Sequence, residues 1–533
     1  MELGIDFGTT YSTVCFDPQS GVDGCLLESR SPYIPTVVGF RADGTFSIGR
    51  AALAEEGLIL YRDIKRWVGC NKINEHLYLQ KLHPTYQVVV DEWDCSIGSV
   101  SHPMAPLKRV IDLVAIFLKG CLALLAETHP GDVRLCTCSV PADYNSYKRA
   151  FVFKACQSLK IGVQAVVNEP TAAAFSVMRD RSESKSEYLL VYDFGGGTFD
   201  VSLVLKSPGY MVVIDSLGDN YLGGRLVDEE LQVRVASLLN VRSSDISSFS
   251  MEDLKITLST RPDLELHDIG LLDKTLRSLI FKPVEFKELC SPIIDRTISL
   301  VTTVLTRNRV QSVQVVLIGG SVTLPGIREK LLNIPSVSGF VFAEETYRLA
   351  VAMGAARYAQ TFTNTVRYRL VDCVAASLSD DRIPYKAHVI LPKGHPTPCS
   401  VSYDFTMPTQ NTALVLHEGE SPNVLMNERC FSAALSTNVF PARSSGKMEI
   451  SIGEDGRVSA TFLGKHLENK LVVPDVSDFV SGLKFESLLS RQIIPNVREY
   501  QEIFGKMVGI GGIGGKSLRD REVLYRENGY AID

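Results

Sequence analysis

Two aspartates in this sequence follow short apolar runs and come directly before a turn that contains glycine and threonine. Asp6 lies in GIDFGTTYSTVCF, and Asp193 lies in LLVYDFGGGTFDVSLVL. A glycine-rich turn between two strands exposes backbone N–H groups, which bind phosphate oxygens. Carboxylates repel phosphate, but they hold Mg²⁺, commonly through water. The two segments therefore predict turns that bind the phosphates of a nucleotide from both sides, with Asp6 and Asp193 around a magnesium ion.

The repetition of this motif favours a functional site over a simpler alternative. A single Asp-x-Gly-Thr turn is most often a tight hairpin without chemistry. Here the motif occurs twice, and Gly319-Gly320-Ser321 follows a third apolar run. The duplicated element also predicts two similar lobes that face each other.

The composition excludes several function classes. The chain has 533 residues, which predicts two to four domains, and 55 basic against 61 acidic residues give a net charge of −6. We therefore expect no direct sequence-specific binding of nucleic acid. The twelve cysteines form no CxxC pair and indicate free thiols in a reducing cytosol. The most apolar helix candidate, Val110 to Ala126, contains Asp112 and Lys119, so we expect no integral membrane protein.

Strands alternate with helices over the first 360 or so residues, which predicts an α/β architecture. Short apolar segments that end in turn residues indicate strands at Leu3–Phe7, Arg134–Val140, Tyr188–Asp193 and Val313–Ile318. Helical patterns follow at Tyr144–Leu159, Thr171–Met178, Arg225–Leu239 and Ile327–Leu332.

The residue pattern of the sequence changes beyond about Ala359. Alternating segments and a predicted hairpin turn at Glu454-Asp455-Gly456 indicate a separate small β domain. The predicted division is residues 1–361 for the α/β domain, 362–384 for a linker, 385–465 for the β domain and 466–533 for a C-terminal region. GIGGIGGKS near the end resembles a phosphate-binding loop, but that pattern requires glycine where Ile510 stands, and we interpret the segment as a flexible tail.

Six segments, in order over roughly residues 1–360, resemble the seventy-kilodalton heat-shock protein family. They are GIDFGTTYSTVCF, VPADYNSYKR, VNEPTAAAF, VYDFGGGTFDVSLV, GDNYLGGR and VLIGGSVTLPGI. The resemblance implies an actin-like two-lobed ATPase domain that encloses MgATP. It also implies a small β-sandwich domain like the family's peptide-binding domain, followed here by a short, partly helical C-terminal tail.

The same resemblance implies roles for individual residues. Asp6 and Asp193 match the two aspartates around magnesium, and Lys65 in DIKRWVG matches a lysine near the γ-phosphate. Glu169 in NEPTAAA and Asp200 match carboxylates that position the attacking water and the hydration of the metal. The implied catalytic set is Lys65, Glu169, Asp193, Thr198 and Asp200. The implied nucleotide contacts are Gly8, Thr9, Thr10 and Tyr11 in the first phosphate loop, Gly195, Gly196 and Gly197 in the second, Gly223 and Gly224 behind the nucleotide, and Glu252, Lys255, Ser259, Gly319, Gly320 and Ser321 on the adenosine side.

Two of these residues have simpler interpretations when taken alone. Lys65 stands beside Arg66 and Trp67, and such a lysine is more often solvated at the surface. Glu169 precedes Pro170 and could merely cap the following helix.

The sequence departs from the family at the adenosine end and in its C-terminal half. Ile256 and Thr323 stand where the family has the two arginines that stack on adenine, and neither side chain can stack in that way. Nucleobase selectivity therefore remains open, and so does a protein that binds nucleotide without hydrolysing it. The linker is basic at Val366–Leu370, where cytosolic chaperones have an acidic, leucine-rich stretch. The region after Lys465 is shorter than the family's usual helical lid and tail.

Within the family, the sequence most resembles the heat-shock protein homologues of closteroviruses. This implies an ATPase that acts in virion tail assembly and in cell-to-cell movement through plasmodesmata. Its implied partners are viral coat proteins and other virion tail proteins, with host cytoskeletal or plasmodesmal components as further candidates. Its implied locations are the host cytoplasm, the virion and plasmodesmata. The alternatives are a divergent cytosolic chaperone that binds unfolded peptides, and a small-molecule kinase of the actin-like superfamily.

Overall fold

The computed structural model of the chain describes residues 1–28, 31–82, 84–142, 144–176, 187–207, 210–219, 221–246, 248–271, 275–341, 348–361, 369–374, 376–383, 385–453, 456–471, 473–486 and 531–532. We refer to residues 1–176 as lobe I and to residues 187–341 as lobe II. The strands from 378 to 467, apart from the short strand Pro396–Thr397 at the edge of the lobe II sheet, form a third body, which we call the β unit.

Lobe I is built on a sheet of five strands in the order β11-β10-β1-β2-β3. Its strands are β1 Glu2–Asp6, β2 Tyr11–Cys15, β3 Ile34–Pro35, β4 Val38–Phe40, β5 Phe46–Ile48, β6 Ile59–Tyr61, β7 Val88–Val90, β8 Cys95–Ile97, β9 Lys108–Arg109, β10 Leu135–Val140 and β11 Gly162–Asn168. Its helices are α1 Gly49–Ala54, α2 Glu75–Leu82, α3 Val110–Thr128, α4 Ser146–Gln157 and α5 Glu169–Ser176.

Lobe II is built on a larger sheet, in which β18-β17-β12-β13-β14 are neighbours and two later strands extend the edge. Its strands are β12 Glu187–Phe194, β13 Phe199–Ser207, β14 Tyr210–Asp219, β15 Leu266–Gly270, β16 Thr275–Ile280, β17 Val313–Ile318 and β18 Val337–Phe340. The helices are α6 Gly224–Leu239, α7 Ser248–Thr260, α8 Pro283–Arg307 and α9 Ile327–Leu332, followed by α10 Ala350–Thr361.

The central strands of the two lobes have the same neighbours. β1 pairs in parallel with β10 and antiparallel with β2, and β12 pairs in parallel with β17 and antiparallel with β13. Asp6 is the last residue of β1, and Asp193 is the second-to-last residue of β12. The repeated strand order therefore places the two aspartates at equivalent ends of two similar sheets.

Helix α10 packs on lobe I and shares one apolar cluster with strands of both lobes. It packs against β1 and α5, where a Cβ on Gly4 would stand 2.1 Å from the carbonyl oxygen of Ala352. A Cβ on Gly354 would likewise stand 1.7 Å from the carbonyl oxygen of Ala172. Because these backbones approach so closely, only glycine fits at either position.

One described helix, α8, is long and apolar enough by composition to cross a membrane. Its apolar residues are spaced as in an amphipathic helix of a folded lobe. Phe286, Ile294 and Val301 are fully buried in the core of lobe II, together with Phe194 and Phe199 from the sheet. Composition alone therefore does not indicate a membrane span here.

The β unit has two antiparallel four-stranded sheets around one apolar core, in the orders β21-β20-β24-β25 and β23-β26-β27-β28. The elements after α10 are β19 Arg369–Cys373, β20 Leu378–Ile383, β21 Lys386–Leu391, β22 Pro396–Thr397, β23 Cys399–Thr406, β24 Thr412–Glu418, β25 Glu428–Leu435, β26 Ser445–Ile452, β27 Val458–Phe462, β28 Lys465–Leu467, α11 Phe479–Gly482 and β29 Ala531–Ile532. β26 and β27 pair antiparallel around the predicted hairpin turn, of which Glu454 and Asp455 lie outside the described residues.

The stretch predicted as a linker, residues 362–384, contains two strands with different partners. β19 pairs in parallel with β14 and so extends the sheet of lobe II. β20 pairs with β21 and β24 inside the β unit. Residues 362–368, which include most of the basic stretch, lie outside the described residues.

The β unit contacts lobe I at the N-terminus of α4. The backbone N–H of Ser146 donates to the Glu418 carboxylate at 3.0 Å, and Lys148 pairs with Glu428 at 3.0 Å. Burial raises the pKa of Glu418 to about 7, while its bond from Ser146 lowers it. The two glutamates stand at facing ends of β24 and β25 and attach this end of the unit to lobe I.

Residues 473–486, which we call the C-terminal segment, also pack on lobe I. Lys119 of α3 donates to the carbonyl oxygens of Val480, Ser481 and Leu483 at 2.7–2.8 Å. Phe485 forms a parallel bridge with Phe46 of β5. The glycine-rich stretch from 509 to 515 lies outside the described residues.

Candidate functional site

The cleft between the lobes contains two hairpins of the same design. In the first, Asp6 on β1 stands directly opposite Thr13 on β2. In the second, Asp193 on β12 stands directly opposite Asp200 on β13. Residues directly opposite each other in an antiparallel pair project from the same face of a sheet, so Asp193 and Asp200 lie side by side.

The glycine turns of the two hairpins face each other. A Cβ on Gly196 would stand 3.0 Å from the hydroxyl oxygen of Thr10, and one on Gly197 would stand 4.0 Å from Thr9. The first turn is held by Ser12, whose hydroxyl accepts from the N–H of Gly8 at 3.1 Å. The structure therefore brings both predicted phosphate loops together.

The second turn lies on the N-terminus of α6. The N–H of Gly224 donates to the carbonyl oxygen of Gly195 at 3.0 Å, and the N–H of Arg225 donates to that of Gly196 at 2.8 Å. A Cβ on Gly223 would stand 2.6 Å from the Cα of Gly197, so the helix approaches the turn backbone to backbone. Thr198 closes the turn, because its carbonyl oxygen accepts from the N–H of Gly195 at 3.0 Å.

Lys65 is a buried residue with a carboxylate partner. It lies in the 3₁₀ helix Ile64–Trp67 and donates to Oε1 of Glu169 at 2.6 Å. Glu169 begins α5 immediately after β11, and Pro170 in the first turn suits a helix start because its missing N–H is not needed there. The side chains are only 7% and 10% exposed, which rules out a solvated surface lysine.

The carboxylates at this end of the cleft are crowded. Burial raises the pKa of Asp6 to about 7, with a further rise from the charge of Glu169; Lys65 and a hydrogen bond from Ser139 lower it. Burial also raises the pKa of Asp193 well above its ordinary value, and the charges of Glu169 and Asp6 add to this. Burial alone would lower the pKa of Lys65, but Glu169, Tyr144 and Asp6 raise it above its usual range. Three carboxylates thus share one lysine.

The predicted adenosine contacts form a second cluster further along the cleft. Lys255 of α7 donates to Asp228 at 2.7 Å and to the carbonyl oxygen of Gly224 at 3.2 Å. Ser321 donates to the carbonyl oxygen of Gly195 at 2.8 Å. A Cβ on Gly224 would stand 2.4 Å from the Ser321 hydroxyl and 3.2 Å from Nζ of Lys255, so these residues are close together.

The remaining predicted contacts differ in their surroundings. Gly319 has a left-handed backbone with φ of +88°, and a Cβ there would stand 2.8 Å from Oδ1 of Asp193. Gly319 therefore lies beside the aspartates rather than beyond them. The hydroxyl of Ser259 donates to the carbonyl oxygen of Lys255 within α7. Glu252 is near Tyr11, because its charge raises the pKa of that phenol.

The two replaced arginine positions lie at the outer part of this cluster. Ile256 is 37% exposed on α7, and Thr323 donates only to the carbonyl oxygen of Gly320, at 3.2 Å. Neither side chain offers a flat surface to a base.

One ion pair across the cleft was missed by the sequence analysis. Arg225, the second residue of α6, donates to Asp63 at 2.6 Å, and Asp63 stands two residues before Lys65. Burial raises the pKa of Asp63, but Arg225, Arg66 and Arg62 together lower it more, and the net pKa is below the ordinary value. The only available signal was proximity to predicted site residues in the sequence, since nothing in the spacing relates residue 63 to residue 225.

The described residues contain no group of three or more His, Cys, Asp or Glu side chains that could hold a metal directly. The predicted magnesium site does not require such a group, because it consists of two carboxylates that hold the ion through water. Asp6 and Asp193 fit it, because each carries a carboxylate whose ionised form is disfavoured until a cation approaches.

Two similar lobes with paired glycine turns and buried carboxylates define the class of actin-like ATPases. The model of the family described as Hsp70 protein matches residues 2–380. The chain therefore belongs to the Hsp70 family, as its motifs predicted. Members of this family have the actin-like two-lobed fold, bind ATP and ADP with Mg²⁺, and are ATPases.

Individual relatives fall into two groups. The chain is 34% identical over 496 residues to the "Movement protein Hsp70h" of Grapevine leafroll-associated virus 3, which covers 91% of this chain and 89% of the relative. It is 31% identical over 508 residues to the protein of the same name from Beet yellows virus, covering 88% and 83%. It is also 28% identical over 500 residues to the "Heat shock cognate HSP70 protein" of Trypanosoma brucei brucei, covering 86% and 72%. The prediction that the chain resembles viral Hsp70 homologues is confirmed.

Proposed function

We propose that this chain binds MgATP in the cleft, hydrolyses it to ADP and phosphate, and acts as the Hsp70 homologue of a closterovirus in virion tail assembly and cell-to-cell movement. The observation that carries the ATPase is the Lys65–Glu169 pair, at 2.6 Å, which interacts with Asp6 and Asp193, the aspartates that precede the two glycine turns. A lysine buried among carboxylates is costly to maintain unless the site uses its charge.

The proposed division of labour follows from the chemistry of each group. Backbone N–H groups of the two turns bind phosphate oxygens from opposite sides. The ammonium group of Lys65 stabilises negative charge as the terminal phosphoryl group is transferred, which is the principal requirement of such reactions. Glu169 holds Lys65 in place and, with Asp200, orients the water that attacks phosphorus; Thr198 contributes a hydroxyl at the same turn.

Asp6 and Asp193 would hold the magnesium ion through water. When bound, Mg²⁺ neutralises charge on the phosphate oxygens. The raised pKa values of both aspartates support this role, because a cation is what would make their ionised forms favourable.

The viral assignment rests on the relatives named movement proteins. At 34% and 31% identity they match this chain along most of its length, and the cellular relative matches at 28%. Coat proteins and other virion tail proteins are the partners we propose, in the host cytoplasm, in the virion and at plasmodesmata. Host cytoskeletal or plasmodesmal components are further candidate partners.

The test of the ATPase is steady-state ATP hydrolysis by the purified chain, with Asp193→Ala as the blank. We expect phosphate release well above that blank. Activity equal to the blank, with retained nucleotide binding, would instead indicate a protein that uses nucleotide only structurally. Co-sedimentation of the chain with purified virus particles tests the virion assignment, and failure to sediment with them would contradict it.

A divergent peptide-binding chaperone is the second candidate. The observation that favours it is the β unit, whose two sheets attach to lobe I through Glu418 and Glu428. A domain attached directly to an ATPase lobe can respond to the nucleotide state. Hydrolysis that an unfolded peptide accelerates would support this candidate, and hydrolysis indifferent to peptide would favour a role in assembly or movement.

A further inference from the structure

The adenosine end of the cleft holds an arginine that the sequence motifs did not reveal. Arg348 lies two residues before α10, and its guanidinium carbon is 4.1 Å from the ring centroid of Tyr33. The same carbon is 5.5 Å from the ring centroid of Tyr11, a residue of the first phosphate loop. One planar cation thus lies over two aromatic rings of lobe I.

Arg348 is equally close to lobe II. A Cβ on Gly320 would stand 3.6 Å from Nη2 of Arg348 and 3.7 Å from Nε. Burial raises the pKa of Tyr11 to about 12, Glu252 raises it further and Arg348 lowers it. Arg348 and Glu252 therefore both act on the phenol of Tyr11, and Arg348 lies beside Gly320, another predicted adenosine contact.

We propose that Arg348 is a nucleobase-binding residue that supplies the planar cation missing at Ile256 and Thr323. Tyr33 and Tyr11 hold the guanidinium, and the base of the nucleotide stacks on the part of its plane that these two rings leave open. Arginine suits this role because its flat, delocalised cation stacks on aromatic surfaces, which the ammonium group of lysine does not do. The inference rests on the proposed binding of ATP and ADP.

The position of Arg348 is set before nucleotide arrives. Tyr33 packs against the small apolar cluster of Leu349 and Ala352, which anchors the ring on which the guanidinium lies. A side chain already held against a ring loses less conformational freedom on binding, so more of the stacking contributes to affinity.

The test measures binding of two probes, MgADP and magnesium tripolyphosphate, to the full chain and to three variants. Arg348→Ala removes the cation and its plane, and Arg348→Lys keeps the charge without the plane. Arg328→Ala is the matched control, because Arg328 lies on α9 of lobe II and stacks on Phe340 at 5.0 Å, outside the adenosine cluster. Melting curves and circular dichroism check that each variant is folded.

We expect Arg348→Ala and Arg348→Lys each to weaken MgADP binding about tenfold. This loss of affinity corresponds to the free energy of one arginine–aromatic stack in a site without water. Tripolyphosphate binding and the Arg328→Ala variant should stay within about twofold of the wild type. Equal weakening of both probes would overturn the proposal in favour of a phosphate contact, and unchanged MgADP binding would overturn it outright. A wild-type chain that binds neither probe would instead contradict the proposed function itself.

Discussion

The phosphate end and the base end of the cleft are built on different principles. At the phosphate end, Asp6, Asp193, Glu169 and Lys65 lie within one another's electrostatic reach, and Lys65 is only 7% exposed. At the base end, Ile256 is 37% exposed and replaces an expected arginine. The family's residues are thus retained where charges are buried together, and they vary where side chains meet solvent.

The difference has a physical cause. Removing one member of a buried charged cluster leaves its partners uncompensated, which is strongly unfavourable. Removing a stacking side chain from a partly exposed surface loses only the stack, and another residue can replace it. Under the proposed function, the phosphate end is constrained residue by residue, whereas the base end needs a flat cation from any suitable position.

The largest predicted effect is at the phosphate end. Lys65→Met should reduce kcat for ATP hydrolysis about 100-fold or more, because the charge that stabilises the transferring phosphoryl group is lost. The measurement is steady-state phosphate release. Lys72→Met is the matched control, since Lys72 also pairs with a glutamate, Glu75 at 2.8 Å, but is 63% exposed. If kcat of Lys65→Met were within threefold of the wild-type value, the contrast between the phosphate end and the base end would be wrong.

A gain of affinity is predicted at the base end. Ile256→Arg combined with Thr323→Arg should strengthen MgADP binding about tenfold, because two planar cations are restored. Calorimetric titration measures this, with magnesium tripolyphosphate as the probe that should not change. Ile280→Arg, at a site on β16 that is 63% exposed, controls for the added charge. An equal gain in that control would show that charge alone is responsible.

The pair that bridges the two lobes should have an intermediate effect. Arg225→Ala or Asp63→Ala should speed the release of ADP about threefold to fivefold, because their 2.6 Å ion pair holds the lobes together. In a double-mutant cycle the coupling should be about 1 kcal/mol. The Arg242–Asp245 pair, whose arginine side chain is 83% exposed, should show no measurable coupling. Fully additive effects of the first pair would contradict a role in closure.

The smallest predicted effect is a change of the melting temperature with pH, caused by Asp253 near the base end. Burial raises the pKa of Asp253 to about 7, and the charge of Glu252 raises it further. The Asp253 carboxyl therefore binds more protons in the folded state than in the unfolded state between about pH 4 and pH 7, and its contribution to stability falls as pH rises across that range. Relative to Asp253→Asn, the wild-type melting temperature should drop by about 2 °C between pH 5.5 and pH 8. Asp263→Asn, an exposed carboxylate just beyond α7, should show no such difference, and an equal drop there would contradict the assignment.

Much of the site could be predicted because its chemistry is local in sequence. Asp6 and Asp193 each precede their own glycine turn, and the strand predicted at Val313–Ile318 has those bounds in the structure. Lys65 was harder, because its sequence neighbours suggest a surface position. Its burial depends on Glu169, 104 residues away.

The C-terminal half was less accessible to such reasoning. The strand β20 lies inside the stretch predicted as a linker, because its partners β21 and β24 come later in the chain. Lys119 seemed only to interrupt an apolar helix, yet it donates to three carbonyl oxygens of the C-terminal segment. These contacts depend on which surfaces meet, and no period or spacing records that.

The sequence was enough to predict the phosphate loops and to identify the family, since glycine turns, strand-ending aspartates and their order are local features that need no partner to be recognised. The tertiary structure alone decided which charges share the cleft, where Arg348 lies and how the C-terminal segment returns to lobe I. The physical reason is that backbone conformation responds to neighbouring residues, whereas the burial and pairing of a charge depend on residues that only folding brings near.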